Sequence, residues 1–332
     1  MPKHTTTRSH QKALYRVKNW SEYEKALVAR GSITFWMSDD FEKTWLHTGQ
    51  KQRGSQFDYS DQAILVMLTV KEVFHLTNRG VEGFVRSLFR MMNINLPVPD
   101  HSTLSKRGKK LKVKLPKKSN QNLNIVMDST GLKIYGEGEW KVRQHGVSKR
   151  RTWRKLHVGA NPQDGEIQAV LLTENHVSDD AAVDALLAQI EQELAEFAAD
   201  GAYDKRKVYD SLNTHSPDVT ILIPPRKNAR IWQHGNTQAE RLKRDENLRS
   251  IRKQGRQAWK QNSGYHKRSL VETTTLAPHC VWCSAGVFRL KTIFGGELSA
   301  RLLETQTTQA LVRCAALNHM TQLGMPQSYM VA

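Results

Sequence analysis

The sequence predicts an α/β fold in which an all-helical N-terminal region precedes a mixed sheet flanked by helices. Three observations predict it. Between residues 60 and 112 apolar residues recur three and four apart, the period of a half-buried helix. After residue 122 that period gives way to short apolar runs bounded by turn residues, as strands require. Between the two lies KLPKKSNQN (114–122), a polar, basic stretch that reads as a linker. The sequence therefore divides into residues 1–118 and 119–332.

Residues 1–55 are polar with scattered Trp20, Trp36 and Trp45, and read as short helices and loops. Ser60 can cap a helix, with Asp61 in the first turn, where the helix dipole favours an acid. Ile64, Leu65, Leu68 and Val73 follow on it. RGVEGFVRSLFRMMNI then puts Val81, Phe84, Val85, Leu88, Met91 and Met92 on one face. NLPVP ends that helix, and Asp100 can cap a third, HSTLSKRGKKLK. Helix, short turn, then a helix rich in Ser, Lys and Arg over residues 78–112 suits a helix-turn-helix-like DNA reader. A plain bundle whose last helix is charged fits the same residues.

Beyond the linker, NIVMDSTGLKIYG reads as a strand with an aspartate near its end. RKLHVGANP and EIQAVLLTE are two more, joined by a turn containing Pro162, Asp164 and Gly165. Ser178 is expected to cap a helix with Asp179 and Asp180 in its first turn and Val183, Leu186, Leu187, Ile190, Leu194 and Phe197 on its core face. FAADGAYD brings a fourth strand, YDSLN a short helix and VTILIPP a fifth strand. A long basic segment (226–262) precedes the last helical region.

An apolar fraction of 39% over 332 residues allows a sizeable core and argues against wholesale disorder. The longest apolar runs fall well short of the roughly 18 residues of a membrane span, and MPKHTTTRSHQK lacks the apolar stretch of a secretory signal. Three cysteines cannot make a disulfide framework and fit a reducing cytoplasm. The net charge of +18 points to a polyanion, because each neutralised phosphate releases counterions. The charge is also one-sided locally. Residues 101–120 hold eight Lys/Arg and no acid, residues 139–157 seven against one, and residues 225–260 eleven against three. A solvated face normally mixes signs, so these blocks suit a surface that follows phosphates.

Asp128 and Asp200 stand out among the acids. Each follows a short apolar run and precedes a small residue, in IVMDST and FAADGA. If the first and fourth strands are neighbours, the two carboxylates lie side by side. They then raise each other's pKa unless a cation sits between them. Mg²⁺ is the natural candidate, since it takes oxygen ligands and bridges to phosphate. Glu272 is the candidate third acid. It lies one helical turn after Arg268, which lies one turn after Tyr265, so the three share a stripe that can face a DNA backbone.

Taken together, MDSTGLKIYG, ADGAYD, YHKRSLVET, RLKTIFGG and LNHM resemble the DDE transposases of IS5-type bacterial insertion sequences. The resemblance extends to YSDQAILVMLTVKEVFHLTNRGVEGFVRSLF and PDHSTLSKR, and so covers nearly the whole chain. It implies an RNase H-like catalytic fold, a metal-binding triad of Asp128, Asp200 and Glu272, and Mg²⁺ as cofactor with Mn²⁺ as substitute. It implies cleavage and strand transfer at terminal inverted repeats, by at least a dimer, in the bacterial cytoplasm at the nucleoid. Lys106, Arg107, Lys109 and Lys110, with Arg150, Arg151 and Arg154, are the cations expected on DNA. Trp153 and Tyr265 are candidates to receive an unstacked base, although Trp153 fits ordinary packing better. His157 reads as structural.

The family's C-terminal signature is Tyr, two residues, Arg, three residues, Glu, six residues, Lys. Tyr265, Arg268 and Glu272 fit it, but the best lysine, Lys291, follows Glu272 after eighteen residues. About twelve extra residues are therefore lodged within 273–286, where Pro278 cannot continue a helix without a cost of roughly 3 kcal/mol. Either the insert loops out and the helix resumes at Val287, or Lys291 is displaced and activity suffers. The insert holds His279, Cys280 and Cys283, which do not complete a four-ligand zinc site with Cys314.

Overall fold

The computed structural model describes residues 14–38, 40–49, 58–116, 123–134, 153–233, 241–265 and 286–331. The N-terminal part opens with strand β1 (Leu14–Val17), followed by α1 (Trp20–Arg30), α2 (Ile33–Trp36), α3 (Phe41–Trp45), α4 (Asp61–Val73), α5 (Asn78–Met91) and α6 (His101–Gly108). Two of the three expected caps, Ser60 and Asp100, lie where their residue types place them; Thr77 is a further cap the sequence reading did not name, and in place of a Ser178 cap the turn at Asp180 follows Asp179 with no side-chain cap. Ser60 accepts from the Ala63 N–H at 3.0 Å, Thr77 from Gly80 at 3.0 Å and Asp100 from Thr103 at 2.7 Å. The Thr103 N–H and the Ser102 hydroxyl together push the Asp100 carboxyl down to about 2. On α5 the buried stripe is Val81, Val85 and Phe89. Met91 and Met92, expected inside, are 80% and 48% exposed, because the helix ends at Met91 before its last turn reaches the core. Phe89 closes an aromatic cluster with Trp45 at 5.1 Å and Phe41 at 5.8 Å. The Trp45 indole donates to the Pro97 carbonyl at 2.8 Å, which fixes the connection between α5 and α6.

The N-terminal region is not all helical. β1 pairs antiparallel with β8 (Ser328–Val331), so the two ends of the described chain are zipped together. The Asn19 side chain reinforces the junction through Met325 and Gln327. A four-residue strand with a distant partner leaves little local signal to read in the sequence.

The sheet contains β2 (Leu123–Ile134), β3 (Trp153–Ala160), β4 (Ile167–Glu174), β5 (Leu194–Ala198) and β6 (Thr220–Leu222), in the order β4-β3-β2-β5-β6. β2, β3 and β4 are antiparallel, while β5 and β6 run parallel to β2. Three antiparallel strands followed by two parallel ones in this order form an RNase H-like mixed sheet. The β3–β4 turn uses Gly165 at φ +75°, a conformation that favours glycine. The helix expected from Ser178 to Phe197 is shorter than its apolar pattern suggested. A 3₁₀ turn (Asp180–Ala182) leads into α7 (Val183–Leu187), and Leu194 and Phe197 belong to β5. A fully buried strand and a buried helix face look alike over so few residues.

One face of the sheet buries Ile125, Met127, Phe197 and Ile221 under α7 and α8 (Arg206–His215). The other buries Val126, Leu156, Val158 and Val170 in a cluster that also holds Trp45, Met67 and Val85 of the N-terminal helices. The linker near residue 118 thus separates helices from strands in sequence while the apolar core runs across it. The basic segment forms α9 (Lys243–Gln254) and α10 (Arg256–Asn262), and is followed by α11 (Gly286–Phe294), β7 (Glu297–Leu298) and α12 (Leu303–Leu323). α12 lies between α4 and the sheet and buries polar residues around most of its circumference. Each of these reaches a neighbour. The Asn318 amide bonds both the N–H and the C=O of Ile167 on the edge strand β4, each at 2.8 Å. Satisfying an edge backbone in this way prevents it from templating another strand. Cys314 lies fully inside this helix packing, and burial pushes its thiol up to about 12. Among the described residues no helix is long and apolar enough to cross a membrane.

Candidate active site

β5 and β7 share one edge of β2. β5 pairs with it up to Val126–Ala198, and β7 from Lys133–Glu297 onward. Among the described residues no strand pairs with that edge between Val126 and Lys133, which leaves a break in the ladder at the carboxyl end of β5. Ligands of open α/β sheets bind at such breaks. Asp128 lies on β2 at this break, two residues beyond Val126. Asp200 lies two residues beyond Ala198, the register partner of Val126. Both aspartates thus lie two residues past the last register pair of β2 and β5, Asp128 still on β2 and Asp200 in the turn that follows β5. Both are half-buried.

Asp200 caps a 3₁₀ turn (Gly201–Tyr203), its carboxylate accepting the Ala202 N–H at 2.8 Å. Space at Gly201 is tight. A Cβ on it would lie 3.1 Å from the Pro224 carbonyl oxygen, so a side chain there needs that backbone to give by a few tenths of an ångström. Lys291 approaches from α11, which is anchored in the core by Leu290 and Phe294. Burial lowers the Lys291 ammonium below its ordinary range, and the nearby Asp128 carboxylate opposes that shift. Lys291 is thus within electrostatic reach of Asp128 despite the long interval that separates it from Glu272.

The opposite side of β2 is braced. Ser129 is the register partner of His157. His157 is fully buried, with one ring nitrogen 2.9 Å from the Thr173 hydroxyl and the other 3.5 Å from Asp179. The Lys155 ammonium lies 2.8 Å from the same carboxylate. Burial alone would raise the pKa of Asp179, but the His157 ring, the Lys155 ammonium and the Ser129 hydroxyl beside it outweigh that and hold the carboxyl well below its usual range. The sequence reading assigned Asp179 to a helix dipole and missed its tie to the strand carrying Asp128. His157 is structural, as its residue pattern suggested.

The other candidates sort by what holds them. Glu272, Arg268, Arg150 and Arg151, with the segment 273–285, fall outside the described residues. So do His279, Cys280 and Cys283, and among the described residues no three His, Cys, Asp or Glu side chains gather as a metal cluster. The Tyr265 ring is 6% exposed and packs against Trp259 at 5.6 Å, so it is held in the core and not offered to a groove. Trp153 lies over Gly131, close enough that a Cβ there would meet the indole at 3.3 Å, which is packing. Arg107 is bound internally, to Asp61 at 2.6 Å and to the Tyr59 carbonyl at 2.9 Å. Arg154 donates to Gln306 at 2.9 Å. Lys106, Lys109 and Lys110 are exposed. Lys106 and Arg79 line an open groove of about 480 Å³ between the N-terminal ends of α5 and α6, with Ser102 and Ser105. Arg79 escaped the sequence reading because it lies outside the three basic blocks and joins Lys106 only through the helix pair.

Residues 28–137 match a family model described as a transposase DDE domain, and residues 120–279 match a second model of the same description. The chain is also similar to a piggyBac transposase solved by cryo-EM as a synaptic complex with hairpin DNA. That likeness has 8% identity and a TM-score of 0.37, and covers 89% of this chain and 73% of the other. Two chains that far apart share too little geometry for the likeness to carry weight, and the fold assignment rests on the strand order.

Proposed function

We propose that this chain, which carries two matches to transposase DDE domains, is a DDE transposase that cuts and joins DNA at the terminal inverted repeats of an IS5-type insertion sequence. The observation that supports this reading is that Asp128 and Asp200 each follow by two residues the last β2–β5 register pair, Val126–Ala198, with the Asp128 charge acting on Lys291. The donor set fits a hard divalent cation, since two half-buried carboxylates side by side repel and offer only oxygen. Asp128 and Asp200, with Glu272 as the third ligand, would hold Mg²⁺, or Mn²⁺ in its place. When bound, the metal supplies charge for activating a nucleophile and stabilising the leaving oxygen of a phosphodiester. The Asp200 carboxylate accepts the Ala202 N–H at 2.8 Å, and Gly201 leaves room for the Pro224 carbonyl beside it. Lys291 supports a phosphate near the cut as a point charge.

Joining two element ends requires at least a dimer, and the basic blocks and the α5–α6 pair suit the flanking double-stranded DNA. Incubating the protein with labelled repeat DNA, a target plasmid and Mn²⁺ tests this reading. Joined product is expected. Nicks without joining would mean an RNase H-like nuclease, and a shifted band without cleavage a DNA-binding relic. Replacing Lys106, Lys109 and Lys110 with alanine should flatten the salt dependence of repeat binding by up to about one unit of slope each, while Arg107→Ala should chiefly lower stability. Filter binding from low to high salt reads the first effect, and thermal unfolding the second.

A further inference from the structure

The basic segment that follows β6 is attached to the Asp200 turn at two points. Pro224, where the segment leaves the sheet, sets its carbonyl oxygen 3.1 Å from the place a Cβ on Gly201 would take. Arg244 of α9, 4% exposed, reaches back to Asp204 with a two-pronged ion pair, Nε to Oδ1 at 2.8 Å and Nη2 to Oδ2 at 3.2 Å. Its remaining nitrogen donates to the Arg230 carbonyl at 2.8 Å, and its guanidinium lies 3.8 Å from the centre of the Trp232 ring. Asp245, fully buried, accepts the Trp232 and Gln233 N–H groups at 2.9 to 3.1 Å, so the tryptophan that floors the pair is itself fixed. Between Asp200 and Asp204 lies a single tight turn. The Tyr203 N–H bonds the Asp200 carbonyl at 3.2 Å, and Tyr203 is 1% exposed.

From this geometry we infer that Arg244 is a positioning residue for Asp200: the Arg244–Asp204 pair sets the turn that aims the Asp200 carboxylate, and ties it to the basic helices α9 and α10. The inference rests on the reading of Asp200 as a metal ligand. A buried ion pair is a poor source of stability, because desolvation offsets most of the attraction. What a guanidinium fork provides is direction, since it holds a carboxylate in one plane. Arg226, Lys227, Arg252 and Lys253 of the same segment are exposed. A DNA backbone engaging them bears on a body locked to Asp200, so the segment serves as more than a loose tether.

The test uses the full chain and Mn²⁺ as probe, following free Mn²⁺ by its paramagnetic resonance signal in wild type, Asp200→Asn, Arg244→Lys and Gly201→Ala. Arg244→Lys keeps the charge but loses the fork. Gly201→Ala pushes the same turn from its other end without touching the ion pair. Both are expected to weaken Mn²⁺ binding by about ten-fold, the usual scale for groups that orient a metal ligand, with repeat-DNA binding unchanged. A merely structural pair would lower the melting temperature and leave Mn²⁺ affinity alone. Folded variants that bind Mn²⁺ as wild type does would overturn the proposal, and Gly201→Ala decides it if Arg244→Lys does not fold. If wild type and Asp200→Asn are equally poor at binding Mn²⁺, the metal reading of Asp200 fails first and the positioning role falls with it.

Discussion

Asp128→Asn and Asp200→Asn are each expected to lower DNA cleavage by about a thousand-fold or more while repeat-DNA binding persists. Asparagine keeps the shape and one carbonyl oxygen of aspartate. At position 200 it can still accept the Ala202 N–H, so the turn survives. What it removes is one of two negative charges just past the last β2–β5 register pair, and with it the ability to neutralise a divalent cation. Loss of metal-based transition-state stabilisation costs several kcal/mol, and about 4 kcal/mol corresponds to a thousand-fold. Thermal unfolding should move little, since removing one of two repelling half-buried carboxylates relieves the folded state. Single-turnover cleavage of labelled repeat DNA, beside a gel shift, measures both halves. An asparagine variant that cleaves within a factor of a few of wild type would remove these aspartates from the chemistry.

The parts of this chain legible in its sequence are those whose signal is local. Ser60 and Asp100 have cap geometry set by their own side chains and the next turn. The strands around Asp128 and Asp200 were readable because a short apolar run ending in an acid and a small residue is compact. Their adjacency was a conditional inference, and β5 pairing parallel to β2 supplies the condition. What was not legible depends on distant partners. Arg107 looked like a DNA contact until Asp61 claimed it, 46 positions away. Asp179 looked like a helix acid until the fold laid Lys155 and His157 against it. Arg244 was one cation among eleven in a basic block, and nothing local marks it as the one that turns inward to Asp204. Charge density in sequence counts cations but does not say which remain free for a phosphate.

Removing the Glu72 carboxylate is expected to destabilise the chain by about 3–5 kcal/mol, the scale of leaving a buried charge without its partner. Glu72 is 6% exposed at the end of α4 and accepts from Arg313 of α12 at 2.6 Å, from Gln309 at 3.0 and 3.2 Å, and from Lys71 at 2.6 Å. Glu72→Ala leaves the Arg313 guanidinium, itself 6% exposed, facing a void. Replacing both partners, as Glu72→Met with Arg313→Leu, should cost much less, because the desolvation penalty disappears with the charges. Burial by itself would raise the Glu72 pKa, but Arg313 and Lys71, by charge and hydrogen bond, overcome it and hold the carboxyl below its ordinary range. A carboxyl depressed in the folded state stabilises above its unfolded pKa of roughly 4.3, and that stability is lost as pH falls through the lower folded value. Urea unfolding should therefore separate wild type from Glu72→Gln at neutral pH and bring the two closer below about pH 4. The network also extends toward the break in the ladder. Arg313 donates to the Glu297 carbonyl on β7 at 2.8 Å, and β7 pairs with β2 at Lys133, five positions past Asp128. A Glu72 variant should accordingly lose protection from hydrogen exchange in β7 and the adjoining end of β2 as well as in α4. Loss confined to α4 would show that the helical region and the sheet are joined by apolar packing alone.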